Sequence, residues 1–204
     1  MKISYAITVC NEFQEIQRLI SFLLENKRDE DEIVVLYDSN NGSVEVGKYL
    51  GEIKGIKWFP FPFDGHFANM KNSLTEECNG DYIYQIDADE LPTKSILENL
   101  WAILDINRTV DVFLVPRINT VKGLTQEHIQ KWGWRVDNKE RVNFPDYQWR
   151  IYRNDPKIKW VNKVHEVLTG FEAMSELPPE DEYCLLHDKT IDRQEKQNEY
   201  YNTL

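Results

Sequence analysis

The sequence predicts an α/β protein built on a mostly parallel sheet with helices on both faces. Three observations carry that expectation. Short apolar runs alternate with amphipathic stretches in a β-α-β-α-β-α-β order through the first half, the pattern of crossover connections between parallel strands. A chain of 204 residues is long enough for one good-sized core but hardly for two full domains. A composition of 41% hydrophobic and 29% charged residues is that of a globular protein rather than a disordered one.

The elements follow in order. Ile3 to Val9, rich in β-branched residues, reads as a buried strand. Ile16, Leu19, Ile20, Leu23 and Leu24 then recur at helical spacing and mark one face of a helix. Asp29 to Glu32 is a solvated acidic turn, and Ile33 to Tyr37 is a second strand that runs into the turn-rich Asp38-Ser39-Asn40-Asn41-Gly42. A helix over Val44 to Ile53, a short strand near Ile56 to Phe59, a helix from about Phe67 to Cys78 and a strand over Asp81 to Ile86 come next. Pro92-Thr93 opens a further helix with an apolar stripe of Ile96, Leu97, Leu100, Trp101 and Leu104, and Val112 to Val115 is again strand.

From Lys122 to Asp181 the character changes. Turn residues and aromatics, among them Trp132, Trp134, Trp149 and Trp160, suggest shorter strands and loops covering one side of the sheet. Ile191 to Tyr201 is polar and helical in pattern. No linker separates independent units, so residues 1–204 read as one domain in two halves, 1–118 and 119–204.

Charge and cysteine content exclude several classes. Twenty-four basic against 35 acidic residues give a net charge of −11, which argues against a nucleic-acid partner, since a polyanion needs a basic surface. A nucleotide needs only a few donors and a metal, so it is not excluded. Cys10, Cys78 and Cys184 form neither a disulfide framework nor a zinc pattern and read as reduced thiols of a cytoplasmic protein. No apolar run approaches a membrane span, and the first residues lack the apolar region of a signal peptide.

In a mostly parallel sheet, ligands bind outside the carboxyl ends of the strands, and the polar residues found there are the candidates. The strongest signal is Tyr82-Ile83-Tyr84-Gln85-Ile86-Asp87-Ala88-Asp89-Glu90, an apolar strand that ends in Asp-Ala-Asp. In extended chain Asp87 and Asp89 would project to the same side, a costly pair unless a cation neutralises it, and Mg²⁺ or Mn²⁺ suits carboxylates together with substrate phosphates. An isolated Asp-x-Asp is more often only a strand-ending turn; its place after the fourth strand favours the metal. Asp38 ends the second strand, where its carboxylate can accept from a base or a ribose. Thr8-Val9-Cys10-Asn11-Glu12 ends the first strand, with a plain helix cap as the alternative reading.

These segments together resemble family 2 glycosyltransferases. Ile7-Thr8-Val9-Cys10-Asn11-Glu12 is similar to the family's opening strand and turn, and Ile33 to Gly42 to its second strand and Asp-rich turn. Lys71-Asn72, Gly80-Asp81-Tyr82-Ile83 and Asp87-Ala88-Asp89-Glu90 match the run into its Asp-x-Asp motif, so the likeness holds in order and spacing over residues 2 to 118. More loosely, Tyr147-Gln148-Trp149-Arg150-Ile151-Tyr152-Arg153 and Val164-His165-Glu166 resemble a subgroup acting on bacterial surface polysaccharides and lipopolysaccharide cores. Two departures stand out. Cys10 replaces an aromatic that often stacks on the base, and Tyr37-Asp38-Ser39-Asn40-Asn41 replaces the usual Asp-Gly-Ser-Thr-Asp turn.

The resemblance implies a GT-A fold and sugar transfer from a nucleotide-diphosphate sugar to a saccharide or glycolipid hydroxyl, with inversion, on Mn²⁺ or Mg²⁺. Residues 1–118 would bind the donor and residues 119–204 the acceptor. Thr8, Glu12 and Asp38 would line the nucleoside pocket, and Lys71 would approach the diphosphate unless it is merely a solvated charge. Asp87 would face the ribose or a metal-bound water, and Asp89 would ligate the metal with His187 as a further ligand. Glu166 would be the base that deprotonates the acceptor, with Asp146 in reserve and His165 packing beside it. Trp149, like Trp132 and Trp134, would either stack on sugars or fill the core. A haloacid-dehalogenase-type phosphohydrolase would carry Asp-x-Asp on its first strand, and a nucleotidyltransferase would open on a glycine-rich loop that Thr8 to Ile16 lacks. A catalytically inactive nucleotide-sugar-binding module is the remaining alternative; slow donor hydrolysis would distinguish an enzyme from it.

Overall fold

The computed structural model describes residues 1–201. The first half alternates β1 (Ile3–Val9), α1 (Phe13–Asn26), β2 (Glu32–Asp38), α2 (Val44–Glu52), β3 (Lys57–Phe61), α3 (Phe67–Glu76) and β4 (Tyr82–Asp87). After it come β5 (Leu91–Pro92), α4 (Lys94–Ile106), β6 (Val112–Lys122), α5 (Gln126–Trp132) and β7 (Val142–Arg153). The chain then runs through β8 (Lys159–Val161), β9 (Val167–Thr169), β10 (Met174–Glu176), β11 (Leu185–Thr190) and α6 (Ile191–Tyr201).

Among the described residues one sheet of nine strands runs β3-β2-β1-β4-β7-β6-β11-β5, with β10 beside β6. Strands β1 to β4 pair in parallel, as crossover helices require. Strand β7 enters antiparallel between β4 and β6, and β11 lies parallel to β6. The expected mostly parallel sheet with helices on both faces is therefore present.

The apolar runs read as strands because both of their faces are buried. On β1, Tyr5, Ile7 and Val9 enter a core shared with Leu19 of α1, Val46 of α2 and Leu100 of α4. Ala6, between them, enters a second core with Ala68 and Leu74 of α3 and Trp160 of β8. Each fully buried Ile or Leu here stabilises the fold by roughly 1.5–3 kcal/mol. Ser43 and Thr93 cap α2 and α4 by accepting the N–H groups of Val46 and Ile96. At Gly80, before β4, a Cβ would lie 2.6 Å from the Ser4 nitrogen, so only glycine lets the strand pair this closely with β1.

Two expectations are corrected. Residues 122–181 do not merely cover the sheet: β7, of 12 residues, joins it at its centre beside β6, which has its expected start at Val112 to Val115 and runs on to Lys122. Pro145 and two register shifts between β6 and β7 break the period-2 pattern that would have marked them. Trp101 lies outside the apolar stripe of α4; it is 40% exposed, with the Arg28 guanidinium 5.9 Å from its ring centre.

Candidate active site

A crevice of about 950 Å³ opens at the carboxyl ends of β1, β2 and β4 and continues beneath β6, β7, β11 and α6. Thr8, Glu12, Asp38, Lys71, Asp87, Asp89, Trp149, Glu166 and His187 all line it. Six lining residues are basic and five acidic, although acidic residues outnumber basic ones in the whole chain. The lining is thus close to neutral, and less hostile to an anionic ligand than the acidic chain as a whole.

The Asp-Ala-Asp segment does not stay extended. The Glu90 N–H donates to the Asp87 carbonyl at 2.9 Å, and the Asp87 N–H donates to Glu90 Oε2 at 3.1 Å, so the chain turns directly after β4. The two aspartates consequently enter different networks. Asp87 Oδ2 accepts from Arg150 Nη2 at 2.6 Å, and its Oδ1 lies 3.4 Å from the Thr8 hydroxyl. Burial pushes the Asp87 carboxyl up, but Arg150, Lys71 and Arg117 more than offset this and hold it at about 2.

Glu90 is the residue that holds this floor together. It is 1% exposed, and its carboxylate accepts from Arg150 Nε at 2.9 Å, Arg150 Nη2 at 2.7 Å and Arg117 Nη1 at 2.9 Å. Arg150 reaches it because of a register shift: Phe113 pairs with Ile151 and Leu114 with Trp149, so Arg150 is the extra residue of a bulge.

Asp89 faces His187 instead, with Oδ2 and Nε2 3.2 Å apart. The imidazole is oriented from behind. Asn119 Nδ2 donates to Asp146 Oδ2 at 2.8 Å, which leaves Asn119 Oδ1 to accept from His187 Nδ1 at 2.6 Å. With Nδ1 engaged, it is Nε2 that faces the Asp89 carboxylate. A carboxylate and an imidazole of this kind fit a divalent cation that takes its remaining positions from water and phosphate oxygens. Among the described residues no group of three or more such side chains converges, because Asp87 is turned to Arg150. Arg193 Nη2 lies 3.3 Å from Asp89 Oδ2 and 3.5 Å from Glu12 Oε1, while Nη1 donates to Glu15 at 2.8 Å. Burial raises the Asp89 carboxyl, but His187, Lys189 and Arg193 outweigh it and hold the group well below the usual carboxylate range.

Lys71 is not a solvated charge. It is 8% exposed, its ammonium lies 3.2 Å from Glu166 Oε1, and it stands 4.6 Å above the Trp160 ring. Glu166 is carried by the loop between β8 and β9, where Asn162 and His165 take positive φ and the Lys163 carbonyl accepts the Phe67 N–H at 3.0 Å. Asp146 is engaged elsewhere: it accepts from Arg117 Nη2 at 2.7 Å, Asn119 at 2.8 Å and Gln148 at 2.8 Å. Burial raises its carboxyl, but Arg117, Asn119 and Gln148 lower it further, which suits an anchor better than a base.

At the other end, Glu12 accepts the N–H groups of Cys10 at 2.9 Å and Asn11 at 3.1 Å. Asp38, 3% exposed, accepts the N–H groups of Asn40 at 2.9 Å and Asn41 at 3.1 Å, and Asn41 Nδ2 at 2.9 Å. Burial and the charges of Asp38 and Glu12 push the Cys10 thiol up to about 12, so it is neutral and unreactive. Trp149 lines the crevice from β7 and packs 5.8 Å from Phe171.

Sequence reasoning missed Glu90, Arg117, Arg150 and Arg193. Glu90 and Arg150 lie inside segments that carried the family resemblance, and their adjacency to Asp89 and Trp149 was the available signal. Arg117 and Arg193 had none, because their partners are 27 residues or more away in the chain.

Comparison with known proteins places the fold and the family. The curated glycosyltransferase SunS of Bacillus phage SPbeta, and the prophage-derived SunS of Bacillus subtilis (strain 168), are 27% identical over 168 residues, 80% of this chain. The chain spans 34% of their length. The S. aureus TarS 1-349 structure in complex with UDP-GlcNAc superposes with a TM-score of 0.65 at 17% identity, covering 93% of this chain and 59% of that one. Its complex with UDP gives 0.62 at 19%, covering 92% and 60%. These likenesses show the GT-A fold. The family model of Glycosyl transferase family 2 matches residues 4–166, from β1 through Glu166, and the chain belongs to that family.

Proposed function

We propose that this protein transfers a sugar from a nucleotide-diphosphate sugar to a saccharide or glycolipid hydroxyl, with inversion and with a divalent metal, Mn²⁺ or Mg²⁺. The observation that carries this reading is the Asp89–His187 pair at the mouth of a strand-end crevice enriched in cations. The TarS complexes with UDP and UDP-GlcNAc support a uridine diphosphate donor. Thr8, Glu12 and Asp38 lie where the nucleoside would bind, at the ends of β1 and β2. Asp89 and His187 would hold the metal, which when bound supplies Lewis-acid neutralisation of the diphosphate.

Glu166 is the proposed base. Its carboxylate takes the proton of the acceptor hydroxyl as that oxygen bonds to the anomeric carbon, and the bond to the diphosphate breaks on the opposite face. Lys71 orients Glu166 through their ion pair, and Arg150 keeps Asp87 ionised beneath the reacting sugar. Residues 1–118 would then serve the donor and residues 119–204 the acceptor.

The test is a thermal-shift panel of uridine, guanosine, cytidine and thymidine diphosphate-sugars, each with Mn²⁺ and with chelator. The expected result is a metal-dependent rise in Tm with uridine donors, because a ligand that binds only the folded state stabilises it. No shift with any donor would contradict the proposal.

A further inference from the structure

Trp132 and Trp134 are left out of the core. Neither belongs to the two buried clusters that hold the sheet, and α5, which ends at Trp132, contains no buried residue. The two indoles instead pack on each other with ring centres 4.6 Å apart, and His128 stacks on Trp132 at 5.1 Å and 22°.

This ladder is held in place. Gly133 takes φ 65° at the end of α5, and the Trp134 N–H returns to the Ile129 carbonyl at 3.0 Å, folding one indole back onto the other. Asn143 braces the next residue: its Oδ1 accepts the Arg135 N–H at 2.9 Å, and its own N–H donates to the Arg135 carbonyl at 2.8 Å. His128 Nδ1 accepts the Thr125 N–H at 3.2 Å.

The ladder opens on the crevice, since Trp134 and Asn143 line the same cavity as Asp89 and Glu166. It also lies at the opposite end from the proposed nucleoside pocket. Thr8 and Asp38 stand on β1 and β2, whereas Trp134 belongs to the β6–β7 connection, with β4 and its Asp87 in between in the sheet order.

We propose that His128, Trp132 and Trp134 form the surface on which a saccharide acceptor stacks, an inference that rests on the transferase reading above. Pre-organised aromatic faces beside amide groups suit the apolar C–H face and polar rim of a sugar ring. The rings continue beyond the crevice, which points to an acceptor of more than one sugar unit.

The test uses the full chain saturated with uridine diphosphate and two probes, the tetrasaccharides of glucose and of N-acetylglucosamine, read by saturation-transfer NMR. At least one should bind, and Trp134→Leu and Trp132→Leu should each weaken it roughly tenfold, the size of losing one aromatic stack. Uridine diphosphate affinity by calorimetry should stay at the wild-type value in both variants, and Trp101→Leu, on the distant α4, should change neither. Binding of neither probe while uridine diphosphate binds normally would overturn the proposal, as would unchanged affinity in both ladder variants. Weaker uridine diphosphate binding in Trp134→Leu would assign the ladder to the nucleobase and overturn it too. Failure of the wild type to bind uridine diphosphate at all would instead sink the transferase reading, and the acceptor surface with it.

Discussion

Asp87 and Asp89 stand two residues apart at the end of one strand, yet they serve different regions of the crevice. Asp87 belongs to a floor in which Glu90, Arg150 and Arg117 neutralise one another; the side chains of Glu90 and Arg150 are 0% and 4% exposed. Asp89 belongs to the rim, where His187 and Arg193 approach from the last strand and helix. Its side chain, at 18%, is less exposed than that of Asp87, at 33%, so the partners set the difference, with Arg193 33% exposed against 4% for Arg150. Charges fixed deep in the protein are costly to disturb, because removing one partner strands the other without water. Charges at the rim can exchange partners with solvent, a metal or a ligand. The floor thus sets geometry, and the rim meets the substrate.

The largest effect should come from the floor. Glu90→Leu leaves Arg150 and Arg117 short of their shared counter-charge and should destabilise the fold by about 3–5 kcal/mol in urea unfolding. A loss below 1 kcal/mol would mean that the two arginines find water or other partners, and the distinction between floor and rim would fail. Next in size is Glu166→Gln, which removes the proposed base. Transfer should fall by about 100-fold or more while donor affinity stays within about twofold. Transfer at the wild-type rate would assign the proton to another group.

A smaller effect calibrates both. Asp111, away from the crevice, accepts from Arg153 Nε at 3.0 Å and from the N–H groups of Glu172 at 3.0 Å and Ala173 at 3.2 Å. Burial raises its carboxyl, but these contacts lower it further, so its folded value lies below the ordinary one. A depressed carboxylate stabilises the fold above its unfolded pKa and loses that contribution as pH falls through the folded value. Asp111→Asn should therefore cost about 1–2 kcal/mol at pH 7, and the gap in Tm from wild type should close as pH falls through the depressed folded value. A gap that is constant with pH would show that the ionised form is not what stabilises this corner.

The same division explains what was legible in the sequence. The parallel half was readable because its strands are short, apolar and separated by helices whose buried faces repeat at helical spacing. Strand β7 and the later part of β6 were not, since Pro145 and two bulges interrupt their alternation. In the site, Asp87 and Asp89 announce themselves as an acidic strand end. Their divergence depends on a turn closed by Glu90 and on cations that arrive from β7 and α6, contacts with sequence separations of 60 residues and more. Local pattern carries no trace of such pairings. Trp132 and Trp134 show the same limit, because an aromatic beside a glycine reads alike whether it fills a core or lines a cleft.

The measurement that tests the central claim most directly is calorimetric titration of uridine diphosphate into wild type and Asp89→Asn, with Mn²⁺ and with chelator. The account predicts that Mn²⁺ tightens binding to wild type, that this gain disappears in Asp89→Asn, and that the variant still unfolds in one cooperative urea transition, with some loss of stability because the depressed carboxylate contributes at pH 7. An equal gain from Mn²⁺ in both proteins would contradict it and remove Asp89 from the metal site.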